Sequence, residues 1–285
     1  MMQSNAKTFF DRLVWRDDRM LLDDLVFRLE HTRSSAWELG DDCFIFYKIK
    51  PLVDQYAQFW ARLPEFRAER VLELGLWDGG SIAFWCELLR PRKHVGLDYA
   101  QRADSRYFRR YVESRGLADT IATYWGVDQR DAARLRAIVR DELGGTLDLV
   151  IDDASHRYAA TKISFETLFP LLRPGGLYVV EDWAWAHWRG FLPPGHDWRF
   201  EPPLTRLVDE LRAAAGSGLD LLASLTIYQG FAVAERGPAV LPADSAFRLA
   251  DHSYTAPRPT PAQRALWHAR RLARALRRRF VRAER

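Results

Sequence analysis

From Val71 onward, short apolar runs alternate with amphipathic stretches. The runs are VLELG (71–75), HVGLD (94–98), IATYWGV (121–127), LDLVID (147–152) and LYVVED (177–182). Between them, stretches such as SIAFWCELLR and DAARLRAIVRDEL carry apolar residues at helical spacing. Strand–helix alternation of this kind predicts a parallel sheet covered by helices on both faces. After Asp182 comes a segment rich in Trp, Gly and Pro (183–203), then a helix near Leu204–Ala215. LLASLTIY and FAVAER flank Gly230 closely enough for a hairpin. Upstream, residues 1–64 are expected to be mostly helical, on the spacing of apolar positions in Met20–Leu29 and Leu52–Leu63. Residues 237–262 are rich in proline and lack periodicity. The expected organisation is a helical segment (1–64), an α/β domain (65–237), a Pro-rich linker (238–260) and a basic C-terminal helix (261–285). No internal repeat is visible.

Composition changes this picture little. The 285 residues are 48% hydrophobic and 28% charged, an ordinary balance that excludes wholesale disorder. Two cysteines, Cys43 and Cys86, exclude a disulfide framework or a zinc ribbon and fit a reducing cytoplasm. The start, MMQSNAKTFFDRLVWRDD, has no apolar core of a secretory signal, and the longest uncharged run, Leu221–Ala234, is too short for a bilayer span. Charge is more informative. The net value is +4, yet residues 261–285 hold nine arginines and one glutamate, a charge of +8 that leaves −4 for the rest. A basic body would point to nucleic acid, whereas here the body is mildly acidic. In the tail, Leu266, Ala269, Ala273, Leu276 and Phe280 make one apolar stripe, with Arg270, Arg271, Arg274, Arg277, Arg278 and Arg282 around it. That pattern predicts an interfacial helix on anionic lipid, hence a cytoplasmic protein peripheral to the inner membrane face. A frayed terminal helix, or one packed on a second copy in a homo-oligomer, is the alternative.

The first core strand ends in Glu73-Leu-Gly75-Leu-Trp-Asp-Gly79-Gly80-Ser81 and opens a helix. Glycines there let backbone N–H groups approach a ligand at a helix N-terminus. Position 77 is Trp, so this is not the Gly-x-Gly fingerprint of NAD sites. The second strand ends in Asp98, whose carboxylate can accept two hydrogen bonds from ribose hydroxyls. Asp128 and Gln129 follow the third strand, where a polar pair can read an adenine edge. Together these features resemble the Rossmann-like methyltransferases that use S-adenosylmethionine. The resemblance implies that Gly75, Gly79 and Gly80 line the methionine and ribose, with Asp98 on the ribose and Asp128 near the adenine; Glu73 and Ser81 are further expected cofactor-binding residues.

A second constellation carries chemistry. The fourth strand runs into Asp152-Asp153-Ala-Ser155-His156, and the fifth ends in Glu181-Asp182. Neighbouring parallel strands bring their C-terminal ends to one rim. Asp153, Glu181 and Asp182 are then three hard oxygen ligands, which favour Mg²⁺ over zinc. His156 titrates naturally near neutrality and can take a proton from a hydroxyl. Taken singly, such acids also serve as helix caps or solvated strand ends.

VIDDASH followed by LFPLLRPGGLYVVEDW resembles the macrocin and mycinamicin sugar O-methyltransferases and the related cephalosporin hydroxylase-like proteins, over roughly residues 70–190. The resemblance implies a mostly parallel seven-stranded α/β sheet with an antiparallel edge hairpin. It also implies Mg²⁺ held by Asp153, Glu181 and Asp182, His156 as general base, and a sugar-containing small molecule or glycan as acceptor. Trp183, Trp185, Trp188 and Trp198 follow the last acidic pair and can cover such a site. Phenol or catechol methylation, and a scaffold without turnover, stay open as alternatives. Nucleic-acid methylation is disfavoured, because no Pro-Pro-aromatic motif for an amino group is present. An iron hydroxylase is disfavoured by the lack of two histidines beside a carboxylate.

Overall fold

Every residue of the strand Leu147–Asp152 is buried, as a strand covered on both faces must be. The computed structural model describes residues 6–29, 42–218, 220–241, 246–254 and 257–271. The chain divides into two units, Met1–Ser253 and Tyr254–Arg285.

The first unit opens with α1 (Ala6–Asp11), β1 (Leu13–Arg16), β2 (Arg19–Leu22), β3 (Leu25–Leu29), β4 (Phe44–Phe46) and α2 (Lys50–Trp60). The α/β alternation follows as β5 (Arg70–Leu74), α3 (Gly80–Leu89), β6 (Lys93–Asp98), α4 (Arg106–Arg115), β7 (Ile121–Trp125) and α5 (Ala132–Leu143). It continues through β8 (Leu147–Asp152), α6 (Tyr158–Leu168), β9 (Leu172–Glu181), α7 (Thr205–Ser217), β10 (Leu222–Ile227) and β11 (Phe231–Arg236). The main sheet runs β10-β11-β9-β8-β5-β6-β7. β5 to β9 are parallel, while β10 and β11 add the antiparallel hairpin at one edge, as expected.

Strand alternation sends side chains into two separate apolar layers. Leu149, Ile151, Leu177 and Val179 face a layer that holds Tyr56, Phe84 and Trp85. Val150, Tyr178 and Val180 face another, with Phe165, Phe169 and Leu207. Helix ends are set locally. Ser105 caps α4 by accepting the Phe108 N–H at 3.1 Å, and Asp131 caps α5 by accepting that of Arg134 at 2.9 Å.

Two expectations are corrected. Residues 13–29 are strands, not helix, and with β4 they form a second sheet in the order β1-β2-β3-β4. Met20, Leu22, Leu25, Phe27 and Leu29 are the buried positions, at alternate residues broken by one tight turn. Their partners Leu21 and Val26 are also apolar, and this doubling imitates helical spacing. The turns are Asp17-Asp18 and Asp23-Asp24, with Asp17 and Asp23 at positive φ. The region after residue 237 is not all linker. Phe247 and Leu249 are buried, and the Leu249 N–H donates to Glu166.

In the second unit, residues 261–271 are helical and exposed throughout. Thr260 and Gln263 exchange side-chain and backbone hydrogen bonds of 2.8 and 3.2 Å, a reciprocal N-terminal cap. The stripe positions Ala273, Leu276 and Phe280 lie outside the described residues, as do Arg274, Arg277, Arg278 and Arg282. Among the described residues no helix is long and apolar enough to cross a membrane.

Candidate active site

At the C-terminal rim of the main sheet lies a cavity of about 1460 Å³. One end is lined by Gly75, Ser81, Asp98, Tyr99 and Asp128, and the other by Asp153, His156, Asp182 and the aromatic segment after β9.

The glycine loop is built by contact. Gly75 has φ +95°, and a methyl group there would lie 2.2 Å from the Asp153 carbonyl oxygen. Only glycine lets the loop rest on the backbone of β8's end. Gly79 has φ +79° and faces the Phe108 ring, while Gly80 begins α3 against Phe44. Gly79 and Gly80 are therefore packing residues and do not line the cavity, contrary to expectation. Glu73 is corrected as well. It stands two positions before the rim, fully buried, with its Oε2 3.1 Å from Nε2 of the equally buried His94. Asp98 does line the cavity, but its Oδ2 accepts the N–H groups of Leu76 and Trp77, both at 2.9 Å. Its Oδ1 accepts that of Ala100 at 2.8 Å. Three of about four acceptor positions are thus taken, which leaves room for one ribose hydroxyl rather than two.

Asp128 is paired with Arg130, whose guanidinium holds its carboxyl below the usual range. Gln129 touches the cavity, but its amide is spent inside. Nε2 donates to Asp152 Oδ1 and to Ser164, both at 3.3 Å, and Oε1 accepts the Ser155 N–H at 3.1 Å. It positions the turn that carries His156 and does not read a base edge.

β8 ends in two acids with opposite fates. Asp152 points to the layer of Tyr178 and accepts from Tyr178 (2.7 Å) and Ser164 (2.5 Å). Burial pushes its carboxyl up to about 6, against those two hydroxyls. Asp153 points to the other layer. Because Asp152 is level with Val180, Asp153 comes level with Glu181 on the same face. Asp182 leaves that alternation through a positive φ of 51°, and His156 does likewise at 54°. Each such residue costs about 1–3 kcal/mol. The Trp185 indole holds the His156 carbonyl at 3.0 Å.

Asp153, His156 and Asp182 each offer one ligand atom, all within 4.8 Å of one another. His156 Nε2 is 3.8 Å from Asp153 Oδ1 and 3.9 Å from Asp182 Oδ2. Burial raises the Asp182 carboxyl, against the pull of His156. Glu181, the third expected ligand, is otherwise engaged. Lys48 places its Nζ 2.6 Å from Glu181 Oε2 and 2.7 Å from Asp153 Oδ2, and Tyr56 donates to Glu181 Oε1 at 2.7 Å. Burial alone would lower the Lys48 ammonium, but the charges of Asp153 and Glu181 outweigh it and hold its pKa raised. Lys48 and Tyr56 come from the segment that carried no motif.

The aromatic cover is as expected for three of its four tryptophans. Trp185, Trp188 and Trp198 line the cavity with Phe191 and Leu192, and Trp198 lies 6.1 Å from the His156 ring. Trp183 turns away and donates to the Tyr228 carbonyl.

Residues 72–183 match the family described as a methyltransferase domain. A mycinamicin VI 2''-O-methyltransferase of Micromonospora griseorubida is 40% identical over 129 residues, 43% of this chain and 29% of that protein. An 8-demethyl-8-(2-methoxy-alpha-L-rhamnosyl)-tetracenomycin-C 3'-O-methyltransferase of Streptomyces olivaceus is 30% identical over 226 residues, 72% of this chain and 53% of that protein. A methyltransferase of the mycinamycin biosynthetic pathway, solved with Mg, SAH and mycinamycin VI, superposes with a TM-score of 0.50 at 30% identity, covering 67% of this chain and 51% of that one. The chain spans about a third to a half of the length of these relatives. The resemblance read from the glycine loop and the two acidic strand ends is borne out by these matches.

Proposed function

We propose that this chain transfers a methyl group from S-adenosylmethionine to a sugar hydroxyl of a glycoside, with Mg²⁺ at the acidic rim. The observation that carries this reading is the meeting of Asp153, His156 and Asp182 in the same cavity as Gly75 and Asp98. The relatives support it, since those named above are sugar O-methyltransferases and one was solved with Mg and SAH.

The donor set fits the ion. Two carboxylates without a thiolate suit a hard cation, and the imidazole beside them is left for the proton. Asp153 and Asp182 would hold it, while Glu181 is not among the groups whose ligand atoms meet within 4.8 Å and is bridged to Asp153 by Lys48. Bound there, Mg²⁺ supplies positive charge that makes an adjacent hydroxyl easier to deprotonate. His156 Nε2 takes the hydroxyl proton. The hydroxyl oxygen forms a bond to the sulfonium methyl carbon as the carbon–sulfur bond breaks. The electron pair of that bond stays on sulfur, giving S-adenosylhomocysteine and a methyl ether. Asp98 offers its remaining acceptor position to the cofactor ribose. Trp185, Trp188 and Trp198 offer flat apolar faces that suit the C–H faces of a sugar ring and exclude water from the reacting atoms. The +8 segment 261–285 supports placing this catalyst at an anionic lipid surface.

The test is incubation with methyl-labelled S-adenosylmethionine and a panel of glycosides and catechols. We expect label on a glycoside, lost in EDTA and restored by Mg²⁺. Label on catechols alone would overturn the sugar assignment, and undiminished turnover in EDTA would overturn the ion.

A further inference from the structure

Lys48 follows β4 and belongs to no motif of the α/β domain, yet its side chain is only 3% exposed and its Nζ bridges two acids of the rim. Each oxygen of Glu181 accepts one hydrogen bond, Oε2 from Lys48 and Oε1 from Tyr56. Asp153 is divided, with Oδ2 on Lys48 and Oδ1 toward His156. A buried ammonium is tolerated only where acceptors replace its water, and a buried carboxylate such as Glu181 beside the part-buried Asp153 is equally costly without a cation between them. The arrangement settles both needs at once.

We propose that Lys48 is the resident countercation of the acidic rim: it holds Asp153 and Glu181 in place, and a divalent ion entering the rim displaces it from them. This inference rests on the metal reading given above. Its physical content is competition. The ion and the tethered ammonium share the Asp153 carboxylate, with Lys48 on Oδ2 and the His156–Asp182 side at Oδ1, so removing the ammonium removes repulsion that the ion would otherwise meet. The exchange replaces one positive charge by two without leaving the carboxylates bare at any point.

The experiment is a titration with Mn²⁺, followed by the electron spin resonance of the free ion, on the full chain and on Lys48→Met and Lys48→Arg. Repulsion between a unit charge and a dication in adjacent positions predicts that Lys48→Met binds at least about tenfold more tightly than the unaltered protein. Lys48→Arg, which keeps the charge, stays within about threefold. In EDTA Lys48→Met melts at a lower temperature than the unaltered protein, and Mn²⁺ restores it. A second measurement needs no variant: reductive methylation of the unaltered protein, read by mass spectrometry, labels Lys48 faster once Mn²⁺ is bound. Unchanged or weaker Mn²⁺ binding by Lys48→Met, or unchanged protection of Lys48 with the ion bound, would overturn the proposal. Absence of Mn²⁺ binding in every form would overturn the metal reading as well.

Discussion

Gly75→Ala is the substitution on which the site's construction depends most directly. Two costs add. An alanine at φ +95° occupies a region that L-residues enter at about 1–2 kcal/mol. Its Cβ would lie 2.2 Å from the Asp153 oxygen, 2.7 Å from the Asp153 carbonyl carbon and 3.0 Å from the Ala154 Cα. These are backbone atoms, so no side chain can swing aside, and overpacking of this kind costs about 1–3 kcal/mol. The expected loss is about 2–5 kcal/mol, measured by urea unfolding. Gly145→Ala is the internal control. It has φ +79° with nothing within 4 Å of the added carbon, so it bears only the conformational cost. Relief of the clash must move Asp153, so Gly75→Ala should also weaken Mn²⁺ binding, whereas Gly145→Ala should not. Equal destabilisation of the two variants, to within about 0.5 kcal/mol, would refute the contact argument.

Three further outcomes are expected. His156→Ala should lower kcat by about 10²–10⁴-fold in a steady-state methylation assay, with the affinity for S-adenosylmethionine little changed. Asp152 has a folded-state pKa of about 6, against an ordinary 3.8. The folded protein therefore binds more protons than the unfolded chain between these values, so stability falls as pH rises through that window and levels off above it. The contribution is about 3 kcal/mol. Asp152→Asn, followed by thermal melts from pH 4 to 7, should flatten the decline, and an unaltered profile would remove Asp152 as its source. Deletion of residues 261–285 should leave methylation of a soluble glycoside intact but abolish sedimentation with anionic vesicles at low salt.

The core strands were legible because four of the five short apolar runs end in glycine or an acid, and the topology of the sheet then places those ends on one rim. Asp153, His156 and Asp182 were found for that reason. Glu73 was misplaced because a motif gives position along a strand but not depth below its rim. Gln129 and Asp98 were correctly brought to the cavity, yet their polar atoms serve the protein's own backbone and side chains. Lys48 left no local signal, since its partners lie 105 and 133 residues away in the chain. The small sheet was hidden by doubled apolar residues that satisfy two periodicities at once.

Both acidic strand ends are doublets, Asp152-Asp153 and Glu181-Asp182, on strands whose two faces are equally apolar. A one-residue insertion within β8 would carry each later side chain to the opposite layer. Leucine, valine and isoleucine could exchange layers with modest repacking, and an aspartate would still arrive opposite Lys48. His156 has no such twin, and its left-handed turn would lose its alignment. Changes of chain length here would therefore separate two properties that point substitutions tend to lose together. A library of single-residue insertions across Leu147–Asp152 is a direct route to forms that still capture the ion but no longer turn over.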